Sequence, residues 1–459
     1  MILIITVLLH LILLVNTRFT LWPEMTVYPY LLNHGFLLYR DIINPYPPFF
    51  IWFLTIFSKA FGYQPLGYQL LTWLLVILID ISVFIIARNI FKKKSYANLA
   101  IIFFAFISVP FLINGLWFDL AQTPPVLFAF YFFQRYLSGK KSKDLFIVSV
   151  LLSITFFIKQ QIIWMGIFFA LVLFWKYRSN SIKIFAKNYY IFLPFLFMLT
   201  LASAFFWLNE TIGDFLFWVF YFPFIKASQM PGYILLPSAK QIILLAGLSL
   251  FFIPIIFRGS KQSKLAILSG LTLFLFAYPR FDYFHLIPSL SLLSLTVGEN
   301  IKLLTKSNFR IRLAFLLGAV VLTVQTARYI HKNWMQEVRF FEKDIIETSN
   351  FIKNFSASYE PIFIQNGPDQ ILPLSGRLPT KPWADDFPWY LELENSQEKV
   401  LKGLIAESPK YIISKPYDNV GKFELGSYRP SKIAAFVDEN YRETTQISDT
   451  LWLKEKYEK

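Results

Sequence analysis

Cysteine is absent from all 459 residues, which rules out disulfides, thiol nucleophiles and Cys-ligated metals. Charge is scarce as well. Asp, Glu, Lys and Arg make up 16% of the chain, against about a quarter in an average soluble domain, so most of it must be solvated by lipid. Histidine occurs four times, with no ligand-type spacing for a metal. No glycine-rich phosphate cradle and no internal repeat can be found. These absences exclude a disulfide scaffold, a zinc module, a nucleotide-binding loop and a solenoid.

The chain is filled instead with apolar and aromatic residues: 56% hydrophobic, including 52 Phe, with a mean hydropathy of +0.49. The net charge of +15 could indicate nucleic acid. However, the Lys and Arg residues cluster between apolar runs, as positive-inside loops do, so no nucleic-acid partner is expected. A helical span needs about 20 apolar residues. Eleven spans are expected, at 1–15, 68–90, 97–113, 120–137, two within 145–176, then 189–208, 241–257, 265–278, 285–297 and 313–329. The first run has no basic region and no small-residue cleavage site, and reads as a retained span. Residues 48–61 read as a juxtamembrane or re-entrant helix, because a full span there would invert every later loop.

Charge checks the register. The five loops assigned inside hold four, three, four, three and four Lys or Arg: Arg88, Lys92, Lys93 and Lys94; Lys140, Lys141 and Lys143; Lys176, Arg178, Lys183 and Lys187; Arg258, Lys261 and Lys264; Lys302, Lys306, Arg310 and Arg312. The opposite segments hold only scattered cations. This asymmetry places the N-terminus in the cytoplasm and faces Glu24, Asp41, Asp119, Lys159 and Arg280 outward. From about residue 331 the composition becomes globular. Helical spacing at 342–355, 399–406 and 433–437 alternates with short apolar runs at 361–365, 410–414 and 449–456. The expected architecture is an all-α polytopic membrane region, 1–330, followed by a small external α/β domain, 331–459.

The outward groups suit glycosyl transfer from a lipid phosphate. That chemistry needs a carboxylate for the acceptor nucleophile and cations, or a metal, for the departing phosphate. Residues 18–67, the first external loop, carry Glu24, Arg40 and Asp41. The bland readings are a helix-start acid for Glu24 and a loop ion pair for Arg40 and Asp41. Asp119 closes a tiny turn between spans, where an acid often caps a helix. Lys159 interrupts an apolar stretch, and could simply snorkel to the interface. Beside Gln160 and Gln161 it suits an inward role against a phosphate. Arg280, Asp282, Tyr283 and His285 form a similar polar knot, whose bland reading is an interfacial Arg–Asp pair. Residues 209–239, rich in Phe, Tyr and Pro, read as a long loop covering the lipid and acceptor groove. A lipid-linked-sugar flippase is the main rival, for which Asp80 is the only acid well inside a span. A non-catalytic scaffold with a partner-binding external domain is the other.

With these residues in place, the chain resembles the GT-C superfamily of integral-membrane glycosyltransferases. It is most similar to the bacterial branch related to protein O-mannosyltransferases and the lipid A aminoarabinose transferase. The resemblance runs over about residues 1–330. It rests on the acid after the first span (Glu24), the stretch with Gly35, Tyr39, Arg40 and Asp41, the Pro47-Pro48 start of a helix, Asp119, Lys159 and Arg280. It implies an inverting transferase of a polyprenyl-phosphate sugar in the cell membrane, with a glycan, lipid or protein acceptor and possible use of a divalent cation. The implied catalytic residues are Glu24, Asp41 and Asp119. Lys159, Arg280 and Arg40 are implied for the donor phosphate, and Tyr39, His285 and Tyr283 for other substrate contacts. The family's acid pair is Pro23-Glu24 here, and its usual His before the Pro-Pro is Tyr46, which leaves open whether Glu24 or Asp41 is the base.

Overall fold

A computed structural model describes residues 1–139, 141–177, 189–230, 232–384, 388–417 and 429–457. Lys140, Arg178, Lys183 and Lys187 of the expected inner loops lie outside these residues. The protein is mostly helical. Among the described residues, five helices are long and apolar enough to cross a membrane: Pro65–Phe91, Gln160–Tyr177, Tyr189–Leu208, Ala239–Arg258 and Phe309–Asn333. Shorter apolar helices occupy Ile2–Asn16, Pro48–Phe61 and Lys94–Ile107. The chain is an integral membrane protein.

Several expected spans are shorter or broken. Residues 285–297 divide into Ile287–Ser294 and a second helix, Val297–Leu304. Residues 265–278 become Lys261–Leu273 followed by a tighter turn, Phe274–Ala277. Residues 209–239 are no open loop: Ile212–Leu216 runs into a wide π-type helix, Phe217–Lys226, with Pro223 inside it. Wide turns of this kind often occur at functional sites.

Chain contacts divide the protein into two units. The first comprises Met1–Thr20, Gln69–Ala202 and Leu235–Gln336; the second comprises Leu21–Tyr68, Ser203–Ile234 and Glu337–Lys459. In the first unit, Ala239–Arg258 crosses Phe309–Asn333 at two glycines. A Cβ on Gly318 would stand 2.5 Å from the Phe251 nitrogen and 2.7 Å from the Gly247 oxygen, both backbone atoms. Small residues permit such close approach between membrane helices. Gly318→Val is therefore expected to cost about 1–3 kcal/mol of stability. Thermal unfolding in detergent checks this, and an unchanged melting temperature would contradict it.

The same unit closes a polar cluster within its helices. His10 Nδ1 lies 2.9 Å from Asp80 Oδ2, and both side chains are 1% exposed. Ser108 Oγ stands 3.5 Å from His10 Nε2, and Phe104 meets the imidazole edge-on. These contacts tie Ile2–Asn16 to Pro65–Phe91 and to the end of Lys94–Ile107. Removing one member of a buried hydrogen-bonded pair leaves the other unmatched, so His10→Ala is expected to cost about 1–3 kcal/mol. Asp80→Asn, which keeps an oxygen beside the imidazole, is expected to cost less. Unfolding of the two variants in detergent orders them.

In the second unit, Ile362–Gln365 pairs in parallel with Tyr411–Ser414. Trp452–Lys456 runs antiparallel to Tyr411–Ser414 and to Tyr441–Gln446, completing a four-stranded sheet. Parallel neighbours require a crossover, which Ser396–Glu407 supplies as a helix. Val400, Leu404, Ile412, Ile433, Val437 and Tyr441 form the core between helices and sheet. A two-residue parallel pairing also joins Ile42–Ile43 to Trp383–Ala384.

Candidate active site

Three helical segments meet at their ends in the first unit. Asp119 sits in the first turn of Phe118–Gly139, where the helix dipole favours an anion. Lys159 is the extended residue ending Ser142–Ile158. His285 lies in the short turn Tyr283–Leu286, whose start is fixed by the Tyr283 N–H donating to Asp282 Oδ1. Lys159 Nζ donates to Asp119 Oδ2 at 2.6 Å, and His285 Nδ1 stands 2.9 Å from the same oxygen. Gln122 Nε2 donates to Asp119 Oδ1 at 3.0 Å. The Asp119 side chain is 0% exposed and that of Lys159 is 4% exposed.

Both carboxylate oxygens of Asp119 thus have hydrogen-bond partners, Lys159 and His285 on Oδ2 and Gln122 on Oδ1. Lys159 Nζ is also 3.0 Å from His285 Nδ1. That nitrogen either donates to Asp119 or accepts from Lys159, since it cannot do both. Around the trio, Trp117 meets Phe284 edge-on, Phe111 meets Tyr283, and Phe284 lies against the imidazole. A buried ammonium carried by one carboxylate retains donors for an incoming phosphate oxygen. Arg280 is half-buried, in a segment whose neighbours bond to Leu235: the Leu235 N–H donates to the Pro279 carbonyl, and the Phe281 N–H to that of Leu235.

The first-loop residues lie in the second unit. Glu24 opens the helix Glu24–Asn33 and is 6% exposed. Asp41 Oδ2 accepts the Leu37 N–H at 3.0 Å, Arg40 Nε donates to Oδ1 at 3.0 Å, and Lys381 Nζ stands 3.9 Å from Oδ2. The Asp41 carbonyl accepts the Trp383 N–H at 2.8 Å. Tyr39 is buried with a left-handed backbone. Its hydroxyl donates to the Tyr46 carbonyl at 2.9 Å, and its ring packs on Phe206 and Phe215.

Asp214, Lys381 and Gln122 escaped the sequence reading. Burial raises the Asp214 carboxyl above its ordinary value, with Lys399 and Arg40 pulling it back and Asp41 adding to the rise. A lone acid amid IGDFLFW was a readable signal for it. Nothing local marks Lys381, which reaches Asp41 across 340 residues only through the fold. Among the described residues, no group of three or more His, Asp or Glu side chains gathers as a metal site.

Residues 45–208 match the family described as dolichyl-phosphate-mannose-protein mannosyltransferase. Among solved structures, the ArnT of Cupriavidus metallidurans bound to undecaprenyl phosphate aligns with a TM-score of 0.60 at 10% identity, over 98% of this chain and 97% of that one. The chain shares the fold of that transferase. The same ArnT in its apo state aligns at 0.59 and 12% identity, covering 98% and 97% of the two chains. The mycobacterial arabinofuranosyltransferase AftD aligns at a TM-score of 0.53 and 12% identity, over 100% of this chain and 40% of its own. No curated protein matches the chain in sequence.

Proposed function

We propose that the chain is a membrane glycosyltransferase that moves a sugar from a polyprenyl-phosphate donor to an acceptor on the external face, inverting the anomeric centre. The observation that carries this reading is the buried lysine held by a carboxylate and an imidazole at the ends of membrane helices. Buried ionisable groups in such places carry function by default, and an ammonium so held suits a lipid phosphate. The ArnT relative, seen with undecaprenyl phosphate, supports the same donor class. In the reaction, the acceptor oxygen or nitrogen attacks the anomeric carbon and the bond from that carbon to the phosphate oxygen breaks. Polyprenyl phosphate leaves with the electron pair, and the acceptor's proton passes to Glu24.

Lys159 holds the departing phosphate in this scheme, with Arg280 as a second cation and Arg40 as a further candidate. Asp119 positions Lys159, and His285 and Tyr283 complete the substrate surroundings. Asp41 and Tyr39 keep the first loop in shape. The topology we propose has the N-terminus in the cytoplasm, residues 1–330 as the membrane region and the α/β portion, 331–459, outside. The flippase reading gains little from Asp80, which is buried against His10 at 1% exposure. Membranes containing the chain, given a polyprenyl-phosphate sugar, should release polyprenyl phosphate in step with glycosylated acceptor. Passage of the intact lipid-linked sugar across the bilayer, with no phosphate released, would overturn the reading.

A further inference from the structure

The proposed chemistry leaves unused a basic corner of the first unit. There Ala239–Arg258 and Val297–Leu304 end, and Lys261–Leu273 and Phe309–Asn333 begin. Residues 256–264 bring Arg258, Lys261 and Lys264 to it; residues 299–312 bring Lys302, Lys306, Arg310 and Arg312. All seven of these residues are exposed. The same two stretches hold a single acid, Glu299. The first unit has five acids in all, and the other four are bonded elsewhere: Asp80 to His10, Asp119 to Lys159, Asp144 to Arg135 and Asp282 to the Tyr283 N–H.

The bonds that fix the corner do not neutralise it. Glu299 is turned to serines: Oε1 accepts the Ser260 N–H at 3.0 Å, and Oε2 accepts Ser260 Oγ at 2.7 Å and also Ser263 Oγ. Arg258 donates to the Lys306 carbonyl. Arg312 donates from Nε to the Leu304 carbonyl at 3.0 Å and from Nη2 to that of Thr305 at 3.1 Å. Carbonyls at a helix end need such donors, and here they tie the four segments together. Lys261, Lys264, Lys302, Lys306 and Arg310 form no ion pair among the described residues. Orientation in the membrane asks only that a loop be basic. Cations gathered this closely repel one another, a cost that a bound anion removes.

The surroundings decide which anion fits. Ile256, Phe257, Phe309, Leu313 and Leu316 are exposed on the same helices that carry Arg258, Arg310 and Arg312. At about 1.5 Å of rise per residue, these apolar faces begin within about 10 Å of the charges. A soluble anion makes no use of them. A phospholipid with an anionic headgroup uses both, its phosphate among the cations and its acyl chains along the helices. We propose that this corner binds an anionic glycerophospholipid of the leaflet it borders. The proposal rests neither on the transferase reading nor on which side of the membrane the corner faces.

The test is native mass spectrometry of the full chain, stripped of lipid in neutral detergent and titrated with phosphatidylglycerol or phosphatidylcholine. The wild type should bind phosphatidylglycerol at least about tenfold more tightly than phosphatidylcholine. Each cation beside a lipid surface is worth about fivefold, so the triple variant Lys302→Gln, Lys306→Gln, Arg310→Gln should bind phosphatidylglycerol about a hundredfold more weakly. Its phosphatidylcholine binding and its melting temperature in neutral detergent should not change, because all three side chains are exposed and unpaired. The charge-keeping variant Lys302→Arg, Lys306→Arg should retain the preference. Equal binding of the two lipids by the wild type, or an undiminished preference in the folded triple variant, would overturn the proposal. Displacement of phosphatidylglycerol by an equal concentration of glycerol phosphate would overturn it too, and assign the corner to a soluble anion.

Discussion

Lys159→Met is expected to lower transfer from a polyprenyl-phosphate sugar about a hundred- to a thousandfold, the usual cost of removing one group that stabilises developing charge. The difficulty is that Lys159 also neutralises Asp119, whose side chain is 0% exposed. Removing the lysine alone strands a buried carboxylate at a cost of about 3–5 kcal/mol, so the single variant could fail for lack of folding. The double variant Lys159→Met with Asp119→Asn separates the two effects. It removes both charges and keeps the amide–Gln122 contact available, so expression and melting temperature should recover while transfer does not. A folded double variant turning over at the wild-type rate would end the assignment of Lys159 to the phosphate. The converse single, Asp119→Asn, should lower activity less, because His285 still stands 3.0 Å from the ammonium.

Glu24→Gln carries the second large effect, a loss of about a hundred- to ten-thousandfold in kcat, as expected when a proton acceptor is removed. The KM for the lipid donor should stay near its starting value, since a carboxylate acting on the acceptor nucleophile does not hold the phosphate. Asp41→Asn provides the contrast. Asn still accepts the Leu37 N–H, and the lost ion pair is to an Arg40 that is 49% exposed, worth little in water. Its transfer rate should therefore remain within about tenfold of wild type. If both variants turn over normally, neither first-loop acid is the base. If Asp41→Asn is the more damaging of the two, the roles given to the acids are reversed.

The sequence made much of the helical layout legible because its signals are local. Pro48–Phe61 forms the short helix its Pro-Pro start and aromatic run imply. In the C-terminal portion, strands Ile362–Gln365, Tyr411–Ser414 and Trp452–Lys456 and helices Lys343–Phe355, Ser396–Glu407 and Ser431–Asn440 lie where apolar spacing placed them. Tyr441–Gln446 was missed because the strand is exposed along most of its length and carries no apolar alternation. Hydropathy sees an apolar run through 285–297 but not the turn that breaks it, and it reads the wide helix Phe217–Lys226 as a loop because of its aromatics and Pro223.

For the site, residue type was readable and partnership was not. Asp119, Lys159 and His285 each stood out as polar groups in apolar surroundings. That all three meet at one carboxylate oxygen depends on helix packing across 40 and 166 residues, which no spacing rule reaches. The same holds for Asp41, whose backbone and side chain meet Trp383 and Lys381 from the far end of the sequence. Sequence reading set Asp119 among the catalytic residues, positioning acceptor or metal; its contacts with Lys159 and His285 are the reason we propose that it positions the lysine.

Binding of undecaprenyl phosphate to the purified chain in nanodiscs, followed by native mass spectrometry, tests the central claim most directly. The wild type should retain the lipid, and the folded Lys159→Met, Asp119→Asn double variant should bind it at least about tenfold more weakly. Equal retention by both would contradict the claim that the buried ammonium is the phosphate's seat.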